Sequence, residues 1–169
     1  MTLVSLPGSS CVVRTYRPGE DAAGTHAAFR EAILRTASSD YDSEQIATWA
    51  GAADIDLDRW DSRRAAAHTF VAVEGGEIAG FVDFLDDGLL DMLFVHPDHG
   101  RTGVARALVS TVQQQASAAG LLTLHTHASR TARPALERLG FRTIKERPDN
   151  VVGGRTVPNF EMQHDLGAR

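Results

Sequence analysis

A single cysteine, Cys11, stands in a chain of 169 residues, which excludes an intrachain disulfide framework and an all-cysteine zinc site. Basic residues are short too: 17 Lys+Arg against 22 Asp+Glu leave a formal net charge of −5. A binder of nucleic-acid backbone would need clustered cations, so none is expected. No run of about 18 apolar residues occurs, and no membrane-spanning helix is expected. Met1 to Ser10 lacks the basic start and apolar stretch of an export signal, so the cytoplasm is the expected compartment. Internal repeats, low-complexity tracts and long linkers are missing as well. What is present is an ordinary globular composition, 43% hydrophobic and 23% charged. It predicts a flexible arm over 1–10 and a single domain over 11–166. Folding should bury roughly two-thirds of the unfolded surface, enough for a core without metal or disulfide.

Periodicity and turn chemistry divide the chain. Cys11 to Tyr16 alternates enough for a first strand, and Ala27, Ala28, Ile33 and Leu34 recur at helical spacing between Glu20 and Thr36. Asp42 followed by Gln45 has the form of a capping box ahead of Ile46 and Trp49. Leu57, Trp60 and Arg64 share one face of a third helix at Asp56 to Ala67. Thr69 to Val73 and Glu77 to Phe84 read as strands joined across Gly75-Gly76, a hairpin signal. A turn at Asp86-Asp87-Gly88 leads into Leu89 to Val95 and completes a meander, stopped by Pro97. Val104, Leu108, Val112 and Ala116 mark the longest helix, Val104 to Ala119, with Gly120 as its stop. A strand at Leu121 to Thr126 and a helix at Thr131 to Leu139, ended by Gly140, follow. Two last strands, Phe141 to Glu146 and Thr156 to Met162, are joined across Gly153-Gly154. This order predicts an α+β domain whose mixed, mostly antiparallel sheet of about seven strands is flanked by helices.

The segment from Asp91 to Leu108 carries the chemistry. A strand ends, a loop with Gly100 and Gly103 follows, and the long helix begins. Small residues admit a ligand to the backbone, and the first N–H groups of a helix lack internal partners at the positive end of its dipole. Such a loop suits phosphate oxygens, and Arg101 and Arg106 add charge of the right sign. It lacks the Lys-Ser/Thr of a triphosphate loop and is not Gly-x-Gly-x-x-Gly. By spacing alone it is equally a plain strand–helix connection.

Leu93-x-Val95-x-Pro97, followed by Gly103-Val104-Ala105 and the helix, resembles the acetyl-CoA-binding motif of the GNAT acyltransferase superfamily. That motif, Gln/Arg-x-x-Gly-x-Gly/Ala, falls on Gly100 to Ala105. Ala135 to Phe141 is similar to the superfamily's second block. Asp40-Tyr41, Ile46-Ala47-x-Trp49, Ile55-Asp56, Asp91 to Val95, Ser129 to Pro134 and Asn159-Phe160 resemble its YafP-like branch. The resemblance covers residues 11–165 and implies the GNAT acyl-CoA N-acyltransferase fold. Two positions depart from the pattern. Gly100 stands where Gln or Arg is usual, with Arg101 one place later, and Leu136 stands where a tyrosine often protonates the departing thiolate.

The resemblance implies transfer of an acetyl group from acetyl-CoA, as co-substrate, to the amine of an acceptor in a ternary complex, with a small molecule the first choice and a protein acceptor left open. It implies that Leu93, Phe94 and Val95 bind pantetheine and polarise the thioester. It also implies that Gly100, Arg101, Thr102, Gly103, Val104, Ala105 and Arg106 wrap the pyrophosphate, and that Ser129 meets the pantetheine arm. Asp91 is the first candidate for the base, its alternative being a solvated strand-end carboxylate; Asp83 is a second acid of the same kind. His127 has a pKa suited to proton shuttling and equally reads as a polar strand-end residue. Tyr41 caps the acceptor pocket or donates a proton, or else packs on Trp49. Tyr41, Trp49, Trp60, Phe84 and the last hairpin, with Asn159 and Phe160, are expected to shape that pocket. His125, His127, His96 and His99 could supply imidazoles to zinc, but the last two lie inside the phosphate-loop segment and no metal is expected. A non-catalytic CoA-binding sensor is the alternative function. Dimers are common in the superfamily, which leaves a homodimer open.

Overall fold

Strand propensity and glycine turns build the middle of a sheet, residues 68–95, from short hairpins alone. The computed structural model describes residues 4–5, 11–52 and 54–167. In it, β1 (Val4–Ser5), β2 (Val12–Thr15), β3 (His68–Glu74), β4 (Glu77–Phe84) and β5 (Leu89–Val95) are consecutive antiparallel neighbours. Gly75 and Gly76 take φ of 61° and 89° in the β3–β4 turn, the left-handed pair that a two-residue hairpin requires. The second half comes by crossover. Helix α4 (Val104–Ala118) returns the chain so that β6 (Thr123–Ser129) lies parallel to β5. β10 (Asn159–Asp165) and β7 (Arg142–Arg147) complete an eight-stranded sheet in the order β1-β2-β3-β4-β5-β6-β10-β7.

The architecture is the α+β fold expected, with one more strand. Val4 and Ser5, assigned above to the N-terminal arm, pair with Val13 and Val12; the other residues of that arm lie outside the described residues. Two boundaries shift for a physical reason. β6 begins at Thr123 rather than Leu121 because the Leu121 N–H is used to close α4, donating to Ala116 O beside Gly120 at φ 83°. The final hairpin also differs. Gly153 and Gly154 join a separate ribbon of β8 (Val151–Val152) and β9 (Arg155–Thr156), not the long strands. Asn150 and Val157 clamp the base of that ribbon, Val157 N to Asn150 O at 2.7 Å and Asn150 Nδ2 to Val157 O at 2.8 Å. Pro158, with no N–H, cannot extend a ladder, so the long strand starts at Asn159.

Helices cover the sheet on two faces. Val104, Leu108, Val112 and Ala116 of α4 bury their predicted stripe with Val82, Leu90, Leu124 and Met162. On the other face α1 (Ala22–Glu31) and α3 (Leu57–Ala66) bring Ala28, Phe29 and Trp60 against Val71 and Phe81. Asp56 caps α3, and the Asp42–Gln45 capping box forms in full at α2 (Ser43–Ala50). The helix expected to run to Thr36 is not uniform: α1 passes into a π-helical stretch at Ala32–Thr36, then a 3₁₀ turn at Ala37–Ser39. Gly80 lets the layers meet, since a Cβ there would lie 2.7 Å from Phe94 O and 3.2 Å from Val104 Cγ1. Among the described residues no helix is long and apolar enough to cross a membrane.

Candidate active site

The site begins with a split in the sheet. β5 and β6 share only the pairs Leu89↔His125 and Leu90↔Thr126, where Thr126 Oγ1 donates to Leu90 O at 2.8 Å. Beyond that apex the strands part. A β-bulge lies at the same level, because Asp83 faces Met92 and Phe84 faces Leu90, leaving Asp91 as the extra residue. A bulge bends its strand and re-aims a side chain. On the other edge of β5, His96 N–H donates to Ala79 O at 2.8 Å. By the alternation of an antiparallel pair, Leu93 and Val95 therefore turn their main-chain groups toward the gap that β6 has left.

On one side of the split is a cleft of about 250 Å³. Leu93, Phe94 and Val95 form its floor, Arg101 and Ala105 one end, and Ser129 the opposite wall. The loop into α4 is folded by its own hydrogen bonds: Gly100 N to Pro97 O at 3.0 Å and Thr102 Oγ1 to His99 O at 2.6 Å. Gly100 is extended, while Arg101 and Gly103 are left-handed at φ 63° and 94°. Arg101 takes this conformation without being glycine, at a cost of about 1–2 kcal/mol. No side chain caps α4, so its first amides stand uncapped at the positive end of the helix dipole. Val104 is buried at 1% exposure; only its backbone N–H can serve an anion. Arg101, Thr102 and Arg106 are exposed around this end.

Across the split lies a second cavity of about 160 Å³, which shares Trp49, Phe94 and Ser129 with the first. It brings Asp91, His127 and Tyr41 together, with Asn150 and Asn159. Asp91 is exposed and forms no ion pair among the described residues. Partial burial pushes the His127 pKa below its usual value, and Arg147 pushes it further down, against Glu161 and Asp91; the imidazole is therefore neutral at pH 7. Tyr41 is committed on both sides: its hydroxyl donates to Pro158 O at 2.7 Å and accepts from Arg130 N at 2.8 Å. Burial raises its pKa. Tyr41→Phe is expected to leave a carbonyl and an amide unpaired, lowering stability by about 1–3 kcal/mol. Thermal unfolding should show that loss while kcat stays within a few-fold; a proton donor would instead lose about a hundredfold or more in kcat.

Several expected pocket residues face elsewhere. Trp60 packs in the α1–α3 cluster, and Phe84 and Phe160 point to the α4 side of the sheet, each in a buried core. Strand alternation puts them there, as it puts Phe94 and Met92 on the cavity side. Phe29, Met92, Asn150 and Val157 line the cavity without having been singled out; only their placement in three dimensions marks them. Asp83 is fully buried rather than in the cavity. Desolvation raises its pKa to about 6, against the pull of Arg64 and the Met92 backbone and with a push from Asp91. Leu136 is core, 2% exposed. His99 pairs with Glu74 at 2.7 Å and His96 lies beside Asp98. Among the described residues no three of His, Cys, Asp and Glu are placed to hold a metal ion.

Comparison with known proteins agrees with this layout. A family model described as an acetyltransferase (GNAT) domain matches residues 37–163. The chain is 37% identical over 152 residues to a protein of Escherichia coli K12 called uncharacterized N-acetyltransferase YafP, covering 90% of this chain and 94% of that protein. A crystal structure from Rhodopseudomonas palustris, titled a GCN5-related N-acetyltransferase and class-II aminotransferase, superposes with a TM-score of 0.86 at 30% identity over 98% of both chains. A putative acetyltransferase of Salmonella typhimurium, solved with acetyl-CoA, shares the fold with a TM-score of 0.70 at 22% identity, over 95% of this chain and 96% of its own.

Proposed function

The chain belongs to the GNAT acetyltransferase family, and we propose that it moves an acetyl group from acetyl-CoA to the amine of a small molecule by direct attack in a ternary complex. The observation that carries this reading is the meeting of two cavities at the β5–β6 split, through Trp49, Phe94 and Ser129. A thioester entering from the α4 side and an amine from the Asp91 side reach one another there without a covalent enzyme intermediate.

The loop and first turn of α4 suit the diphosphate of acetyl-CoA. Residues Arg101 to Arg106 supply main-chain N–H groups and the charges of Arg101 and Arg106, the Gly100 N–H being held by Pro97 O. Gly100 in place of a longer polar side chain matters little to a cradle made of backbone. The main-chain groups of Leu93 and Val95 pair with the pantetheine arm as a strand would, and a β5 amide polarises the thioester carbonyl. Ser129 closes the far wall.

An alkylamine with a pKa of about 10.4 arrives protonated. Asp91 holds the ammonium and takes one of its protons before the freed nitrogen lone pair attacks; neutral His127 lies beside it as a second acceptor. The C–N bond forms, the tetrahedral adduct collapses, and the C–S bond breaks. Leu136 offers no acid, but a thiol with a pKa of about 8.5 leaves as thiolate and takes its proton from water or from the N–H+ of the collapsing adduct.

Asp91→Asn is expected to lower kcat by about 10²–10⁴ with the Kd for acetyl-CoA and the unfolding midpoint unchanged, because the side chain is exposed and on the acceptor side. Release of free CoA thiol reads the rate. A variant with the wild-type rate would pass the base role to His127. Tight acetyl-CoA binding without turnover of any amine would favour a sensor instead.

A further inference from the structure

The walls of the acceptor cavity differ sharply in chemistry. One is aromatic: Phe29 and Phe94 meet edge-on at 4.8 Å, Trp49 stands 6.4 Å from Phe94, and Tyr41 stands 5.5 Å from Trp49, measured between ring centres. The other is polar, made by Asp91, His127, Ser129 and Asn159 at the ends of β5, β6 and β10. Part of the hydrogen-bonding capacity in the cavity is already in use. Tyr41 is bonded on both sides, Asn150 Nδ2 is held by Val157 O, and Ser129 Oγ accepts from Ala132 N at 3.0 Å. The Asp91 carboxylate forms no ion pair among the described residues, and Asn159 Oδ1 is buried with no partner among them. Both are acceptors. No lysine or arginine lines the cavity.

A buried acceptor without a donor costs about 1–3 kcal/mol, so Asn159 Oδ1 favours a ligand that brings an N–H group, and the exposed Asp91 carboxylate favours a cationic one. A flat apolar group fits the rings, and a cation gains further from their faces. A carboxylate next to the nitrogen would meet Asp91 with no cation in the lining to offset it. Resting on the acetyl-transfer reading above, we infer that the acceptor is a primary amine on a flat, apolar arm with no carboxylate beside the nitrogen. Its ammonium lies between Asp91 and Asn159 Oδ1, and its arm lies along Trp49 and Phe94. Asn159 is thus a specificity residue that receives one N–H of the ammonium. It takes no part in proton transfer.

The test is a matched set of acceptors for the wild-type protein with saturating acetyl-CoA, followed by thiol release. 2-Phenylethylamine carries ring and ammonium, n-butylamine the ammonium alone, and L-phenylalanine adds the carboxylate. The expected kcat/KM for 2-phenylethylamine exceeds that for n-butylamine by tenfold or more and that for L-phenylalanine by a hundredfold or more. Asn159→Ala should raise KM for 2-phenylethylamine about tenfold with kcat within threefold, and Trp49→Leu should shrink its advantage over n-butylamine. Turnover of all three at similar kcat/KM, or preference for the amino acid, overturns the inference while leaving acetyl transfer standing. Turnover of no amine despite acetyl-CoA binding overturns both.

Discussion

Gly103→Glu is expected to abolish acetyl-CoA binding, with loss of all activity that depends on it. The backbone at this residue is left-handed, φ 94° and ψ 0°, where it begins α4. A side chain of any kind strains that turn by about 1–2 kcal/mol. Glutamate adds a carboxylate at the place proposed for the diphosphate, beside the exposed Arg101 and Arg106. Two like charges about 4 Å apart repel by about 4 kcal/mol at the effective dielectric of a protein surface, which is roughly a thousandfold in Kd. Titration calorimetry with acetyl-CoA reads the result. Gly103→Ala, which keeps the strain and omits the charge, separates the two effects and should bind within about tenfold of wild type. Undiminished binding by the glutamate variant would place the diphosphate elsewhere.

The second large effect is on stability. Arg64 on α3 and Asp83 on β4 are 4% and 0% exposed and meet at 2.7 Å between Nε and Oδ2. Arg64 also lies over the Trp60 ring, 4.7 Å from its centre. Its Nε and Nη1 and both Asp83 oxygens have no well-aligned hydrogen bond among the described residues, so the pair is a close charge contact with its desolvation only partly offset. Asp83→Leu or Arg64→Met leaves one buried charge alone and is expected to cost about 3–5 kcal/mol, whereas the double variant should be neutral or more stable than wild type. Denaturant unfolding of all four proteins reads the cycle.

The sign of the pH dependence follows from Asp83. Its pKa in the folded chain, about 6, lies above the value of about 3.9 in an unfolded chain. Its contribution to stability is therefore complete below about pH 4 and is lost as pH rises through 6. Arg64→Met removes a partner that holds the pKa down, so in that variant the loss should continue to a higher pH before it levels off.

What the sequence discloses is what local chemistry decides. The α4 stripe, the Asp42–Gln45 box and the Gly75-Gly76 hairpin each depend on neighbours within a turn or two, and each forms. The cleft-lining set Leu93, Phe94, Val95, Arg101, Ala105 and Ser129 was legible because motif and strand end coincide. The bulge at Asp91 was not, since it exists only relative to β4. Nor was the choice between Phe94 and Phe84: both are aromatic strand residues, and the register of the sheet alone sends one to the cavity and the other to the core. Arg64 shares a helix face with Trp60 as the spacing predicts, yet nothing local announces that its charge is buried against Asp83. The glycines at 153 and 154 signal a turn correctly but not which strands it joins.

The π-helical stretch Ala32–Thr36 has a bearing on chain length. Ala32, Ile33 and Thr36 all border the cleft of the α4 side, and a π turn holds one residue more than an α turn. Deleting a single residue there would let regular helix run through while Ala22–Glu31 kept its face on the sheet, because the wider turn is what absorbs the extra residue. Phe29 would stay on the aromatic wall, and the change would fall on Ala32, Ile33 and Thr36 where they line the cleft. Indels at this point in descendants of the chain would thus retune which molecules fit, with little effect on whether the protein folds.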